Sequence, residues 1–151
     1  MRLFRIAQPK FNDPFNAEGS RIHGGRWNPK GTGILYYAST VSLAALEKRV
    51  HTPAAALGIL WHLIEVDVPD ALITTQPVAG LPANWRDHPP PGNVQNIGKQ
   101  WVQSGVSLGL KVPSVVIPTE MNILLNPTHP DIGSAHAFPP VEFRFDERLA
   151  L

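Results

Sequence analysis

The chain has 151 residues, 43% hydrophobic and 17% charged, with 13 Lys plus Arg against 12 Asp plus Glu. This length suits one domain with its own core, and a net charge of +1 argues against a strongly basic nucleic-acid binder. The absence of cysteine excludes disulfides, thiolate zinc sites and a cysteine nucleophile, and no window approaches the roughly 18 apolar residues of a membrane span. A cytoplasmic protein without membrane contact is the expectation.

In chain order, Leu3 to Ile6 reads as a short strand. Phe11 to Lys30 mixes polarity with turn formers and reads as a long loop. Ile34 to Ala38 is an apolar, aromatic run expected as a strand, after which Ser39 or Thr40 caps a helix reaching about Val50. Ile59 to Val68 is the clearest strand, with Ile64, Val66 and Val68 alternating against Glu65 and Asp67. Pro69 to Gly92 is rich in proline and reads as an elaborate loop with one or two short elements at most. Val94, Ile97, Gly98 and Trp101 recur at helical spacing, and Gly105 closes that helix. Val112 to Ile117 and Ile123 to Leu125 are expected as two buried strands around a Pro118-to-Asn122 turn. Val141 to Phe145 alternates as a last strand.

There are 16 prolines. Each removes a main-chain donor and tends to end helices and interior strands, which argues against long helical bundles. About six strands and two or three short helices make a mixed α+β domain with one core.

Several residues have chemical potential. In Gly24-Gly25-Arg26-Trp27-Asn28, two glycines permit positive φ and close approach of a ligand. Arg26 beside them offers a planar fork to phosphate or carboxylate. The plainer alternative is a glycine turn with a surface arginine and a buried tryptophan. On a wheel of about 100° per residue, with Leu43 at zero, Glu47 falls near 40°, at the edge of the apolar stripe. A carboxylate there needs a partner or a cleft, so it is either an acid/base candidate or half of an ion pair. Tyr36 and Tyr37 are adjacent on a strand and point to opposite faces, so one of them can meet a ligand. Ser114 is a lone hydroxyl in an apolar run. It can face a ligand or satisfy main chain at an irregularity caused by Pro113. No zinc-type histidine pair, P-loop or dinucleotide fingerprint occurs, so no metal is expected.

Taken together, these segments resemble the RES domain, the toxin half of RES–Xre toxin–antitoxin pairs. The strings that carry the resemblance are Phe4-Arg5-Ile6, Gly24 to Asn28, Gly31, Tyr36, Ala44-Ala45-Leu46-Glu47 with Val50-His51, Gly98, Trp101, Leu110 to Ser114, Asn122, and Leu124 to Pro130. The family's characteristic Arg, Glu and Ser map to Arg26, Glu47 and Ser114. The resemblance implies a single RES domain over 1–151 with an ADP-ribosyltransferase-like mixed sheet. It implies a toxin that consumes NAD as substrate by cleaving its nicotinamide N-glycosidic bond and so depletes the cell's NAD. Arg26, Tyr36 and Glu47 would act in catalysis, with Arg26, Tyr36 and Ser114 contacting NAD. Tyr36 would stack on nicotinamide, and Ser114 would form a hydrogen-bonding wall of the pocket. The implied partner is an Xre-family helix-turn-helix antitoxin, which leaves room for a homodimer inside the assembly; direct nucleic-acid binding by this chain is not expected. The competing readings are transfer of ADP-ribose to a protein, a non-catalytic nucleotide- or partner-binding module, and an RNA-cleaving toxin using His23 or His51. The near-neutral charge weighs against the last.

Overall fold

Leu3, Arg5 and Ala7 alternate with Phe4 and Ile6, so β1 (Arg2–Ala7) must satisfy two faces at once. In the computed structural model, which describes residues 1–150, this strand lies inside a sheet whose two faces are both covered. The other strands are β2 (Leu35–Ala38), β3 (Trp61–Asp67), β4 (Ile73–Thr75), β5 (Gly109–Pro113), β6 (Met121–Leu125), β7 (His136–Ala137) and β8 (Val141–Phe143). Their order is β4-β5-β6-β2-β1-β3-β7, with β8 also pairing with β3. Among the described residues only β4 and β5 run parallel; the remaining pairs are antiparallel.

One face of the sheet buries Leu3, Leu35, Tyr37, Ile64, Val66, Ile123 and Leu125. The other is divided between two of the α-helices, which among the described residues are α1 (Glu18–His23), α2 (Val41–Val50) and α3 (Gly92–Ser104). Leu43 and Ala44 of α2 pack on Ile6, Ala38 and Trp61, while Val94 and Trp101 of α3 pack with Trp27, Leu110, Val112 and Leu124. Each fully buried aliphatic side chain contributes about 1.5–3 kcal/mol, so these clusters are what hold the helices to the sheet. Thr40 caps α2 by accepting the Leu43 amide at 3.0 Å, and a left-handed Gly105 ends α3.

The mixed α+β architecture with short helices is as the sequence suggests, and several details differ: β6 starts at Met121, inside the turn expected over Pro118 to Asn122, and the last strand ends at Phe143, short of the expected Phe145. The loop expected over Phe11 to Lys30 contains α1, which buries no residue and so leaves no apolar period to read. The strand expected at Val112 to Ile117 lies earlier, at Gly109–Pro113, where Gly109 to Pro113 register against Leu125 to Met121. Val115 to Ile117 instead turn away under Ser114. The short strands β4 and β7 take their order from their partners, not from local pattern. Among the described residues, no helix is long and apolar enough to cross a membrane.

One irregularity positions the site. β1 pairs with β3 over six register positions and β2 with β6 over four, but β1 and β2 are in register only at Phe4–Ala38. Beyond that pair, Arg5 and Ile6 on one side and Tyr36 and Tyr37 on the other line a cleft.

Candidate active site

The cleft has a volume of about 710 Å³ and collects residues from β1, the Gly24–Asn28 loop, β2, α2, the segment before α3 and the ends of β5 and β6. Glu47 enters it from α2. Its Oε1 accepts hydrogen bonds from Ser114 Oγ at 2.8 Å and Asn122 Nδ2 at 2.6 Å. Both bonds use one oxygen, which fixes the carboxylate and leaves Oε2 for a ligand. Among the described residues Glu47 forms no salt bridge, so of the two readings open at sequence level the cleft is the one realised.

Ser114 does not form the wall expected of it. It is fully buried behind Glu47 and outside the cleft lining. Its Oγ also accepts the Val116 and Ile117 amides at 3.1 and 3.0 Å. The same hydroxyl thus closes the main-chain irregularity after Pro113 and donates its proton to Glu47. Asn122 does line the cleft, level with Ala38 and Val112 across the sheet. As a single polar residue at the start of a short apolar strand, it carries no local signal for this role.

The Gly24–Asn28 loop is built from inside. Asn28 is fully buried, and its Nδ2 donates to the carbonyls of Ser20, Thr32 and Pro29 at 2.9, 2.7 and 3.3 Å. Its Oδ1 accepts the Tyr36 hydroxyl at 2.5 Å, and that hydroxyl accepts the Trp27 amide at 3.0 Å. From α3, Gln95 donates to the Gly25 carbonyl at 2.9 Å. Only Gly24 of the pair takes positive φ; Gly25 is needed for space, because a Cβ there would lie 2.6 Å from the Tyr36 hydroxyl. Trp27 is a core residue, 2% exposed.

This frame holds Arg26 at the cleft. Its Nη1 donates to the Trp85 and Asp87 carbonyls at 2.8 and 2.9 Å, leaving the other guanidinium donors for a ligand. Burial lowers its pKa, opposed by the charge of Glu47, yet a guanidinium stays charged at any physiological pH. The two tyrosines separate as their alternation requires. The Tyr37 hydroxyl donates to the Pro14 carbonyl at 2.6 Å, its ring is 2% exposed, and burial pushes its pKa up to about 12. Tyr36 keeps part of its surface on the cleft while burial also raises its pKa, so both remain neutral phenols.

Four side-chain cations, Arg5, Arg26, Lys48 and Arg86, line the cleft against one carboxylate, Glu47. A chain with net charge +1 therefore concentrates positive charge here. His51, at the C-terminal end of α2, adds a titratable ring at the mouth, its pKa held down first by burial and supported by Glu47. With Leu43 at zero on the same wheel, Lys48 falls at about 140°, away from the apolar stripe, and Val50 at about 340°. The long Lys48 stem lets the ammonium reach back over the Trp61 ring, 5.5 Å from its centre. Val50, by contrast, falls within the stripe on the wheel but is 55% exposed, at the cleft edge.

Comparison with known proteins matches the RES domain model to residues 2–146. A protein of Yersinia enterocolitica named Toxin Res is 38% identical over 151 residues, 99% of each chain. The Prs ADP-ribosylating toxin of a Sphingobium strain is 40% identical over 141 residues, 91% of this chain and 87% of that one. In fold, the chain matches the solved M. tuberculosis MbcT–MbcA toxin–antitoxin complex with a TM-score of 0.78 at 21% identity, covering 99% of this chain and 86% of that one.

Proposed function

The chain belongs to the RES domain family, and from that premise we propose that it is the toxin of a toxin–antitoxin pair, cleaving NAD in the cytoplasm at the nicotinamide N-glycosidic bond. The observation that carries this reading is the fixed Glu47 carboxylate, its Oε2 open to a largely apolar cleft whose other charged side chains, Arg5, Arg26, Lys48 and Arg86, are cations. NAD matches that charge pattern, with a cationic nicotinamide riboside at one end and an anionic diphosphate in the middle.

In the reaction the C1′–N bond breaks and its electron pair leaves with neutral nicotinamide. The ribose becomes an oxocarbenium-like cation, as in glycoside hydrolysis. Glu47 Oε2 stabilises that cation and holds a ribose hydroxyl. Arg26 grips phosphate or ribose oxygens. The Tyr36 ring stacks on nicotinamide, while its hydroxyl, committed to Trp27 and Asn28, keeps Arg26 aimed. Ser114 and Asn122 act through Glu47 as positioning residues. With water as acceptor, the oxygen bonds to C1′ and one proton is released. The implied partner is a helix-turn-helix antitoxin of the Xre family that covers this cleft.

Transfer of ADP-ribose to a protein shares the same first step, and the 40% identity to a toxin named for ADP-ribosylation favours it as the second reading. Alanine at position 45 favours simple NAD depletion, since no second carboxylate stands two residues before Glu47 to activate a protein nucleophile. The experiment is nicotinamide release from NAD by purified protein beside Glu47→Gln, with mass spectrometry of the ADP-ribose products. Loss of one charge-stabilising contact of this kind costs about 10²- to 10³-fold in rate. A folded Glu47→Gln protein that releases nicotinamide at the parental rate would overturn the reading. Unchanged NAD with folded wild type, in buffer and in cell extract, would point to a non-catalytic binding module.

A further inference from the structure

The turn that carries Arg26 is tied down on its two legs by different parts of the molecule. Gly25 and Asn28 form a single antiparallel bridge, in which the Gly25 amide donates to the Asn28 carbonyl at 2.9 Å. Arg26 and Trp27 are therefore the two corners of a tight turn. The Asn28 leg is held from inside by its own side-chain amide and by the Tyr36 hydroxyl. The Gly25 leg has no side chain, and none fits, since a Cβ there would meet the Tyr36 hydroxyl and Asn28 Oδ1 at 2.6 and 2.9 Å. Side-chain packing cannot fix this leg, so hydrogen bonds to its main chain must.

One such bond comes from α3. Gln95 is half-buried and lies outside the cleft lining, and its Nε2 donates to the Gly25 carbonyl at 2.9 Å. Three residues on, and so on the same side of the helix, Gly98 lies against the Trp27 carbonyl. Val94 and Trp101 root α3 in the core, which makes the helix a fixed platform for both contacts. The Gly25 carbonyl belongs to the planar peptide unit that leads into Arg26. Holding that plane sets the direction in which the Arg26 side chain leaves the main chain. The far end of the same side chain is held by the Trp85 and Asp87 carbonyls, which Nη1 reaches from that starting direction.

We propose that Gln95 is a positioning residue for Arg26: its amide locks the peptide unit between Gly25 and Arg26 and so aims the guanidinium into the cleft. The role rests on the NAD reading only for what Arg26 grips; the tether itself stands on the contact between α3 and the turn.

Intact NAD is titrated calorimetrically into Glu47→Gln protein with and without Gln95→Met, which keeps the length of the side chain and removes its donor. The pair is repeated with Arg26→Gln, or with Arg26→Lys where the former binds too weakly to measure. Hydrogen exchange of the Gly25 and Trp27 amides, followed by NMR, reads the turn without any ligand. Gln95→Ala replaces the Met variant should that one not fold, and Gln103→Met, at an exposed position of α3, is the control. Loss of one side-chain hydrogen bond should weaken NAD binding about three- to tenfold. Once Arg26 is replaced the same substitution should cost less than about twofold, because the two residues act as one unit. Exchange in the turn should quicken while the melting temperature changes little, and the control should leave all of these as they were. Parental exchange rates in a folded Gln95→Met protein overturn the tether, and an equal loss of NAD affinity with and without Arg26 overturns its action through that residue. Faster exchange on Gln95→Met in a protein that neither binds NAD nor, as wild type, releases nicotinamide would keep the tether and remove the glycosidic reading.

Discussion

The carboxylate corner and the arginine loop face each other across one cleft but are held in opposite ways. Glu47 stands on a capped helix, and the bonds that fix it are two side-chain contacts from neighbouring strand ends. Arg26 stands on a loop, and what fixes it is buried main chain: Asn28 threaded through three carbonyls, the Tyr36 hydroxyl, and α3 pressed against Trp27. A rigid element needs only a light touch to aim a side chain, whereas a loop must have its own backbone polar groups satisfied before it can aim anything. Damage to the corner should therefore appear in activity, and damage to the loop in stability first.

The largest effect is expected at Gly98, where a Cβ would lie 1.8 Å from the Trp27 carbonyl oxygen. Main chain cannot swing aside as a flexible side chain would, so Gly98→Ala should cost about 3 kcal/mol of stability. Chemical denaturation measures it, and a loss below about 1 kcal/mol would mean that the loop yields where it is taken to be rigid. Asn28→Ala should come next, at about 2 kcal/mol, because it leaves the Tyr36 hydroxyl proton without an acceptor and takes a donor from the Ser20 and Thr32 carbonyls. Its activity, assayed well below its melting temperature, should fall as well, since Arg26 loses its frame. Asn122→Leu should do the reverse. With one of two bonds to Glu47 Oε1 gone, nicotinamide release should drop about tenfold while the melting temperature changes little. A variant whose melting temperature falls while its rate holds would break the contrast between the two regions.

The smallest effect concerns pH. The folded state holds the His51 pKa below its ordinary value of 6.5, so the unfolded chain binds more protons as pH falls through that region. The contribution is present above pH 6.5 and is lost as the solution becomes more acidic. His51→Gln should flatten this part of the stability profile, read from melts between about pH 5 and 8. A profile unchanged by the substitution would remove His51 from the electrostatics of the cleft.

Much of this is legible in the sequence because it is short-range. Thr40 and Gly105 mark helix ends by local chemistry, and the wheel places Glu47 at the margin of an apolar stripe. Tyr36 and Tyr37 must diverge because a strand alternates. Where the residues mislead, a distant partner has intervened. β5 begins at Gly109 because Leu125 and Ile73 flank it, although Val115 to Ile117 have the stronger β-propensity. Ser114 looks equally like a ligand contact and a main-chain prop until the fold turns it toward Glu47.

By itself, then, the sequence determined the kind of domain, the helix carrying Glu47, the glycine-flanked Arg26 and the family whose motif contains them. Tertiary structure alone decided that Ser114 and Asn122, 67 and 75 residues beyond Glu47, meet on one of its oxygens. It also decided that β1 and β2 part after a single register pair, and that Arg5 and Lys48 enter the same cleft. Helix caps and strand alternation are governed by neighbours a few residues apart. Convergence on a carboxylate and the opening of a sheet depend on strand register, which is set by pairing across the whole chain.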